Sequence, residues 1–323
     1  MRLVRREGLE PTCLAAPAPK AGASTNSATL AAVPKPKKRD KNNVLYPRRD
    51  FQLAARMPVD HYENFPVASL LLPRRLRAPI EIIYRFARSA DDIADEGVDS
   101  ADVRLRKLSV YQSALERIAA GDTPAEPLFA GVARIVREHA LPPQLFADLI
   151  SAFSQDVTQT RYADFPDLLD YCRRSANPVG RLVLHLFKRT SETDLAGSDA
   201  VCTALQLINF WQDIELDFAK GRIYLPQDDM ARHGVSERHI AEQRPDEAWR
   251  ALLAFEVARS REMIQRGKPL ARSLPGRMGL EIRATIQGGL RILEKIEQAK
   301  YDVFRRRPVL RGLDWPLLLA RAV

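Results

Sequence analysis

Apolar residues recur along this chain at spacings of three and four, which return side chains to one face of a helix, and from position 103 onward the pattern runs almost without interruption. Breaks fall at GDTPAEP (121–127), at LPPQ (141–144) and around Asn177 and Pro178. The spacing predicts helices over 102–119, 127–139, 145–162, 168–187, 246–266 and 279–304, with QDDMARHG (227–234) as a surface loop. Upstream, Pro79 suits a first helical position and Gly97 a C-terminal cap, which frames a further helix between them. HYENFPVASLLLP (61–73) reads as a short amphipathic helix stopped by proline, leaving Arg74, Arg75 and Arg77 in a connection. No run alternates with the two-residue period of a strand, and no repeat, GxGxxG or P-loop occurs, so the fold class is expected to be all-α.

Two stretches place acids inside otherwise apolar helical pattern. In QLINFWQDIELDFAKGRIYLP (206–226), Gln206, Asn209, Asp213 and Asp217 share a narrow arc at 100° per residue. Ala204, Leu207, Ile208, Trp211, Ile214 and Phe218 take the opposite side, while Leu205, Phe210 and Leu216 hem the polar stripe at its edges. Glu215 falls on the apolar side without a sequence-level reason. In FARSADDIADEG (86–97), Tyr84, Arg88, Asp91 and Asp95 share one face, with Ile82, Ile83, Phe86, Ala90, Ile93 and Ala94 around the rest. Asp92 and Glu96 bring the total to four acids within positions 91–96, a crowding that raises carboxylate pKa values unless a cation neutralises it.

Either cluster alone also reads as a solvated helix face with ion pairs such as Arg88 with Asp91 or Asp92. The pair, with apolar flanks and a basic segment after the second, argues for a bound metal. The donors are oxygens, and no His or Cys stands at metal-ligand spacing, so Mg²⁺, with Mn²⁺ as the alternative, is favoured over Zn²⁺. Mg²⁺ held by a few carboxylates keeps positions for substrate phosphate oxygens. Lys220, Arg222 and Tyr224 follow the second acidic stretch, where their heads can meet a diphosphate or simply complement a helix C-terminus. Ala176, Val179 and Gly180 are small enough either to thin a helix wall for a long chain or to let helices pack closely.

DDIADE, NFWQDIELD, KGRIYLP and HYENFPVASLLLP together resemble the squalene/phytoene synthase family of all-helical isoprenoid synthases, over about 60–308. The ENFP and NFWQD wording is most similar to the hydroxysqualene synthase branch of hopanoid biosynthesis. Many relatives have Ser-x-Ser-Phe where this chain has Tyr62, Glu63, Asn64 and Phe65, a departure from the phytoene synthase pattern. The resemblance implies a single-domain helical bundle around a central apolar cavity. It implies metal binding by Asp91, Asp92, Asp95, Asp213 and Asp217, supported by Asn209 and Gln206, and diphosphate contact by Arg88, Lys220, Arg222 and Tyr224. His61, Phe65 and Tyr171 would shape the pocket, and Tyr171-Cys172, Ala176 and Val179-Gly180 match the family's wall motif. Gln155, Asp156, Arg161 and Tyr162 align upstream of it.

The implied reaction converts presqualene diphosphate and water to hydroxysqualene and diphosphate, with no NADPH. The rival chemistry joins two prenyl diphosphates head to head, giving presqualene diphosphate, squalene or phytoene. A reading of another class keeps the scaffold as a non-catalytic binding or assembly protein; decayed acidic positions would mark it, and every expected Asp is present.

Composition adds bounds. The 323 residues, 46% of them hydrophobic, suffice for one large helical domain. Residues 1–50 lack apolar periodicity and hold 11 Lys and Arg against 4 Asp and Glu, so they are expected to be a disordered basic tail, with the helical domain at 51–323. Removing them from the totals of 50 and 41 leaves 39 and 37, a net charge of only +2. The tract KPKKRDK is read as solvated, and no nucleic-acid partner is expected. Cys13, Cys172 and Cys202 are scattered, which favours buried spectator thiols. His233 and His239 read as surface residues. Without a secretory signal or an apolar run of ~20 residues, a cytoplasmic location is expected, with peripheral membrane contact and neighbouring enzymes of the squalene pathway as partners. The apolar end at 315–319 is expected to dock on the bundle.

Overall fold

Burial of the apolar stripes selects the helix boundaries. The computed structural model describes residues 73–323, and among them all regular structure is helical. The basic tail, the helix expected at 61–73 apart from its last residue, and with them His61 and Phe65, lie outside the described residues.

The first helix, α1 (Arg74–Asp95), starts earlier than Pro79. Leu76, Ile80 and Ile83 are 3%, 0% and 0% exposed, so burial of this face carries the helix back to Pro73. Arg74, Arg75 and Arg77 therefore lie in its opening turns rather than in a connection. Pro79 sits within the helix at the expense of one intrahelical bond, the donor to the carbonyl of Arg75. Gly97 follows the end of α1 at φ +84°, the left-handed conformation its position requires.

α1 packs with α2 (Ala101–Ala119), α3 (Pro127–His139) and α4 (Pro143–Thr158) around Phe86, Leu108, Ile135, Phe146 and Leu149. Phe86 meets Phe146 edge to face, with ring centroids 5.2 Å apart. The stretch expected over 168–187 divides at Ala176 into α5 (Phe165–Ser175) and α6 (Asn177–Leu186), since Pro178 occupies the first turn of the second helix.

A second core forms around α7 (Glu192–Gln212), which lies along α11 (Glu247–Arg266) and α13 (Gly276–Gln298). Trp211, Trp249, Leu253, Ile264 and Leu293 fill it, and the Trp211 indole N–H donates to Ser260 Oγ at 2.8 Å. Between α7 and α11 come the short helices α8 (Ile214–Ala219), α9 (Gln227–Arg232) and α10 (Glu237–Ala241). The 227–234 segment is thus no surface loop: Asp229 and Met230 are 0% and 2% exposed. His233 and His239 are half-buried, the first against Phe255 and the second capping α10 by accepting from Ser236 N–H at 3.1 Å.

After α12 (Lys268–Ser273) and α13, the chain closes with α14 (Asp314–Ala322). Lys300 and Tyr301 adopt positive φ and end the expected 279–304 helix at Gln298. Leu318 and Ala322 dock α14 on α13, but Trp315, Leu317 and Leu319 stay 38%, 36% and 49% exposed, so the apolar end at 315–319 docks only through Leu318. Among the described residues no helix is long and apolar enough to cross a membrane. Cys172 and Cys202 are free, and burial pushes their thiols up to about 12 and about 11.

Candidate active site

The acidic end of α7 shows how local structure sets the site. α7 breaks at Asp213, whose φ of −112° and ψ of 18° are not helical, so the continuous helix expected through Phe218 becomes two. The hydrogen bonds on the polar face nonetheless cross the break. Asp213 N–H donates to the Asn209 carbonyl at 2.9 Å, and Asp217 N–H to the Asp213 carbonyl at 2.8 Å. Gln206, Asn209, Asp213 and Asp217 therefore keep their shared face and are all buried. Leu205 and Phe210 hem them in as expected. Leu216 does not: the break turns it outward to 42% exposure. Glu215 is likewise exposed and accepts from Gln243 Nε2 at 2.8 Å, which resolves its misfit.

The last two turns of α1 hold the other cluster. Arg88 lies 3.6 Å from Asp91 and 2.8 Å from Asp92, and donates to Glu96 at 3.2 Å. These are the local ion pairs that the first cluster alone suggested. Asp95 is met from elsewhere in the chain. Lys220 Nζ donates to its Oδ2 at 3.0 Å and Arg222 Nη1 to its Oδ1 at 2.6 Å. The basic segment after the second motif thus closes on the last acid of the first.

That segment is itself fixed. Gly221 takes φ +78°, and Arg222 N–H returns to the Asp217 carbonyl at 2.9 Å. Ile223 N–H donates to the Thr160 carbonyl at 3.0 Å. Arg161, paired with Glu237 at 2.6 Å, donates to the Gly221 carbonyl at 2.7 Å. Arg222 reaches back to α4 as well, donating from Nη2 to the Asp156 carbonyl at 3.0 Å.

Asp156 is the residue that sequence reasoning aligned but gave no role. It is 5% exposed, and its carboxylate accepts from the Tyr171 hydroxyl at 2.6 Å and the Tyr224 hydroxyl at 3.2 Å. The Tyr224 ring stacks on Phe210 with centroids 3.8 Å apart, and Tyr162 lies 5.5 Å from both Tyr171 and Tyr224. Burial, then the charge of Asp156, pushes the Tyr162 phenol far above its usual range. A small hollow of about 10 Å³, room for about one water, lies along this wall, lined by Phe210, Ile214, Asp217, Arg222, Tyr224 and Leu225 among others.

Arg307, from the connection before α14, is a second residue the sequence did not mark. Its Nε donates to Asp213 Oδ1 at 2.6 Å, joining positions 94 apart. No local pattern signals such a pair. Asp156 could have been found, because it follows Leu149 and Phe153 at helical spacing, an acid on an apolar face like Asp91 and Asp213.

The small residues take the closer of the two roles open to them. A Cβ on Gly180 would stand 2.3 Å from Ser198 Oγ and 2.5 Å from Cys202 Sγ, so Gly180 seats α6 against α7. Val179 packs in the core of α1 to α4, and Ala176 is fully buried at the junction of α5 and α6.

The donor set fits a hard cation. Asp91, Asp95, Asp213, Asp217 and Asn209 offer only oxygen ligands from their side chains' acceptor atoms, all largely buried. Among the described residues no three acidic, His or Cys side chains form a ready metal cage. Mg²⁺ needs none, since it is normally held by one or two carboxylates with phosphate oxygens and waters completing the shell.

What the fold and these contacts define is an all-helical isoprenoid synthase. A sequence profile described as squalene/phytoene synthase matches residues 59–314, and the chain belongs to that family of enzymes. It is 36% identical over 222 residues to the hydroxysqualene synthase of Rhodopseudomonas palustris, covering 68% of this chain and 74% of that one. It is 31% identical over 276 residues to the 15-cis-phytoene synthase of Synechococcus elongatus, covering 80% and 89%. The crystal structure of squalene synthase HpnC from Alicyclobacillus acidocaldarius superposes with a TM-score of 0.71 at 37% identity, over 79% of this chain and 95% of that one.

Proposed function

We propose that this enzyme is a hydroxysqualene synthase, which takes presqualene diphosphate and water to hydroxysqualene and diphosphate. The observation that carries the reading is the closure of Lys220 and Arg222 on Asp95, which gathers the two acidic motifs and their cations at one end of an aromatic-lined hollow. Similarity to hydroxysqualene synthases supports the choice of branch.

Asp91, Asp95, Asp213 and Asp217, with Asn209, would hold Mg²⁺. When bound, the ion supplies Lewis-acid charge neutralisation for a leaving diphosphate. The chain's own residues do the rest. Arg222 is gripped between Asp95 and the Asp156 carbonyl, and Lys220 lies beside it, so positive charge is prearranged where the diphosphate departs. Arg88 holds Asp91 and Asp92 in the same cluster. As the C–O bond breaks, its electron pair leaves with the diphosphate and the hydrocarbon becomes a carbocation. Phe210, Tyr224, Ile214 and Leu225 line the hollow beside it and exclude bulk water, which strengthens each electrostatic contact. The cation then rearranges with opening of its cyclopropane ring, and one water adds to the rearranged cation and loses a proton to solvent to give the open-chain alcohol.

The test is to incubate purified protein with Mg²⁺ and either presqualene diphosphate or farnesyl diphosphate and identify the lipid. Hydroxysqualene from presqualene diphosphate, with nothing formed from farnesyl diphosphate, is expected. A product from farnesyl diphosphate alone would favour the second reading, head-to-head condensation, which the likeness to 15-cis-phytoene synthase keeps in view.

A further inference from the structure

We propose that Arg104, in the first turn of α2, is a positioning residue for the first acidic motif. It holds the end of α1 and the loop after it, and so sets where Asp95 meets a divalent cation. The inference rests on the reading that Asp95 is a ligand of that cation.

The end of α1 is an unfavourable place for acids. A helix C-terminus carries the negative end of the peptide dipoles and carbonyls without intrahelical donors, so cations suit it. Here Asp92 and Asp95 fall in the last turn, with Asp91 just before it and Glu96 just after, and that turn holds no basic residue. Arg88 answers the side chains of Asp91, Asp92 and Glu96 from a turn earlier. Arg104 answers the carbonyls. Its Nη1 donates to the Ala94 carbonyl at 2.5 Å, its Nη2 to the Gly97 carbonyl at 2.9 Å and its Nε to the Asp99 carbonyl at 3.1 Å. A continued helix would fill the Ala94 carbonyl from position 98. Gly97, at φ +84°, turns the chain away, and the guanidinium takes that place. The tethered carbonyls of Ala94 and Gly97 stand on either side of Asp95 and Glu96, so the backbone that carries Asp95 is fixed from both ends. The planar fork of an arginine can span three acceptors so placed, whereas a lysine is a point charge. Lys107 holds the same loop differently, through its 2.5 Å pair with the Asp99 carboxylate.

Arg104→Gln tests this. Losing a group that orients a metal ligand typically lowers metal affinity about 10- to 100-fold, so the Mg²⁺ concentration for half-maximal rate should rise at least about 10-fold. At saturating Mg²⁺, kcat should stay within about threefold of the parent, a split that general loss of structure would not produce. Amide hydrogen exchange at 96–100 should quicken, while that of the buried face of α2 around Leu108 and Leu115 stays slow. Arg104→Lys, which keeps the charge and loses the fork, should recover only part of the Mg²⁺ affinity. Lys107→Gln should leave the Mg²⁺ requirement unchanged. An unchanged requirement or unchanged exchange in Arg104→Gln would overturn the proposal, as would full recovery in Arg104→Lys or an equal rise in Lys107→Gln. So would a variant that melts far lower and loses kcat at every Mg²⁺ concentration, which would assign Arg104 to the scaffold. If the parent releases no diphosphate from any prenyl diphosphate, the functional reading fails separately. Mn²⁺ titration of the parent and of Arg104→Gln, followed by the paramagnetic resonance of the free ion, then decides: weaker binding in the variant supports the proposal, and equal binding or none overturns it.

Discussion

At the scale of single residues, the acids sort by what meets them. Asp91, Asp95, Asp213 and Asp217 are held in or beside cationic contacts at the proposed diphosphate end, and Asp91→Asn or Asp213→Asn should lower kcat at least ~10²-fold, by analogy with losing one preorganised electrostatic contact. Far-UV circular dichroism should be unchanged, and a folded, active variant at either position would refute the assignment. Glu256 behaves differently. It is 0% exposed on α11, and burial outweighs the nearby Arg259 to push its carboxyl up to about 8. A carboxyl protonated in the folded state but ionised in the unfolded chain makes stability fall as pH rises, here between the ordinary glutamate value near 4.5 and about 8. Denaturant melts of the parent should weaken across that window, and those of Glu256→Gln should weaken less. At this scale the sequence was legible where acids interrupted the apolar faces of the two motifs, while Asp156 carried the same signal without being given a role. It was silent on Arg307, whose partner is far away in the chain.

At the scale of elements, the apolar spacing located most helices, and burial or backbone chemistry moved their ends. The 127–139 helix matches α3 at both ends, because Pro127 starts it and Ala140, at φ 51°, stops it. The start of α1 was misread because Pro79 suits a first helical position, whereas the buried stripe of Leu76, Ile80 and Ile83 extends through it. The break at Asp213 could not be read from 100° periodicity, since Gln206 to Asp217 keeps its polar register across it. Gly180 is the clearest case of packing settling a choice the sequence left open. Gly180→Ala should destabilise the protein by about 1 to 3 kcal/mol through overpacking between α6 and α7, measurable as a lower urea midpoint. An unchanged midpoint would mean that Ser198 and Cys202 yield without cost.

At the scale of the whole molecule, two cores meet where the acidic helices approach, and long-range ion pairs close that junction. Asp95 is bound across 125 and 127 positions by Lys220 and Arg222, and Asp213 across 94 by Arg307. Removing a partner from a buried acid takes away part of what offsets its desolvation, so Arg307→Ala should cost about 1 to 3 kcal/mol without added metal. Saturating Mg²⁺ should return part of that stability by binding the folded state, which thermal melts with and without the ion will show. The central claim is that the gathered charges break the bond between carbon and oxygen and that water captures the resulting cation. Turnover of presqualene diphosphate in ¹⁸O-labelled water tests it most directly. The label is predicted in the hydroxyl group of the lipid, with the released diphosphate unlabelled. Label in phosphate, or a hydrocarbon product carrying no oxygen from water, would contradict the account.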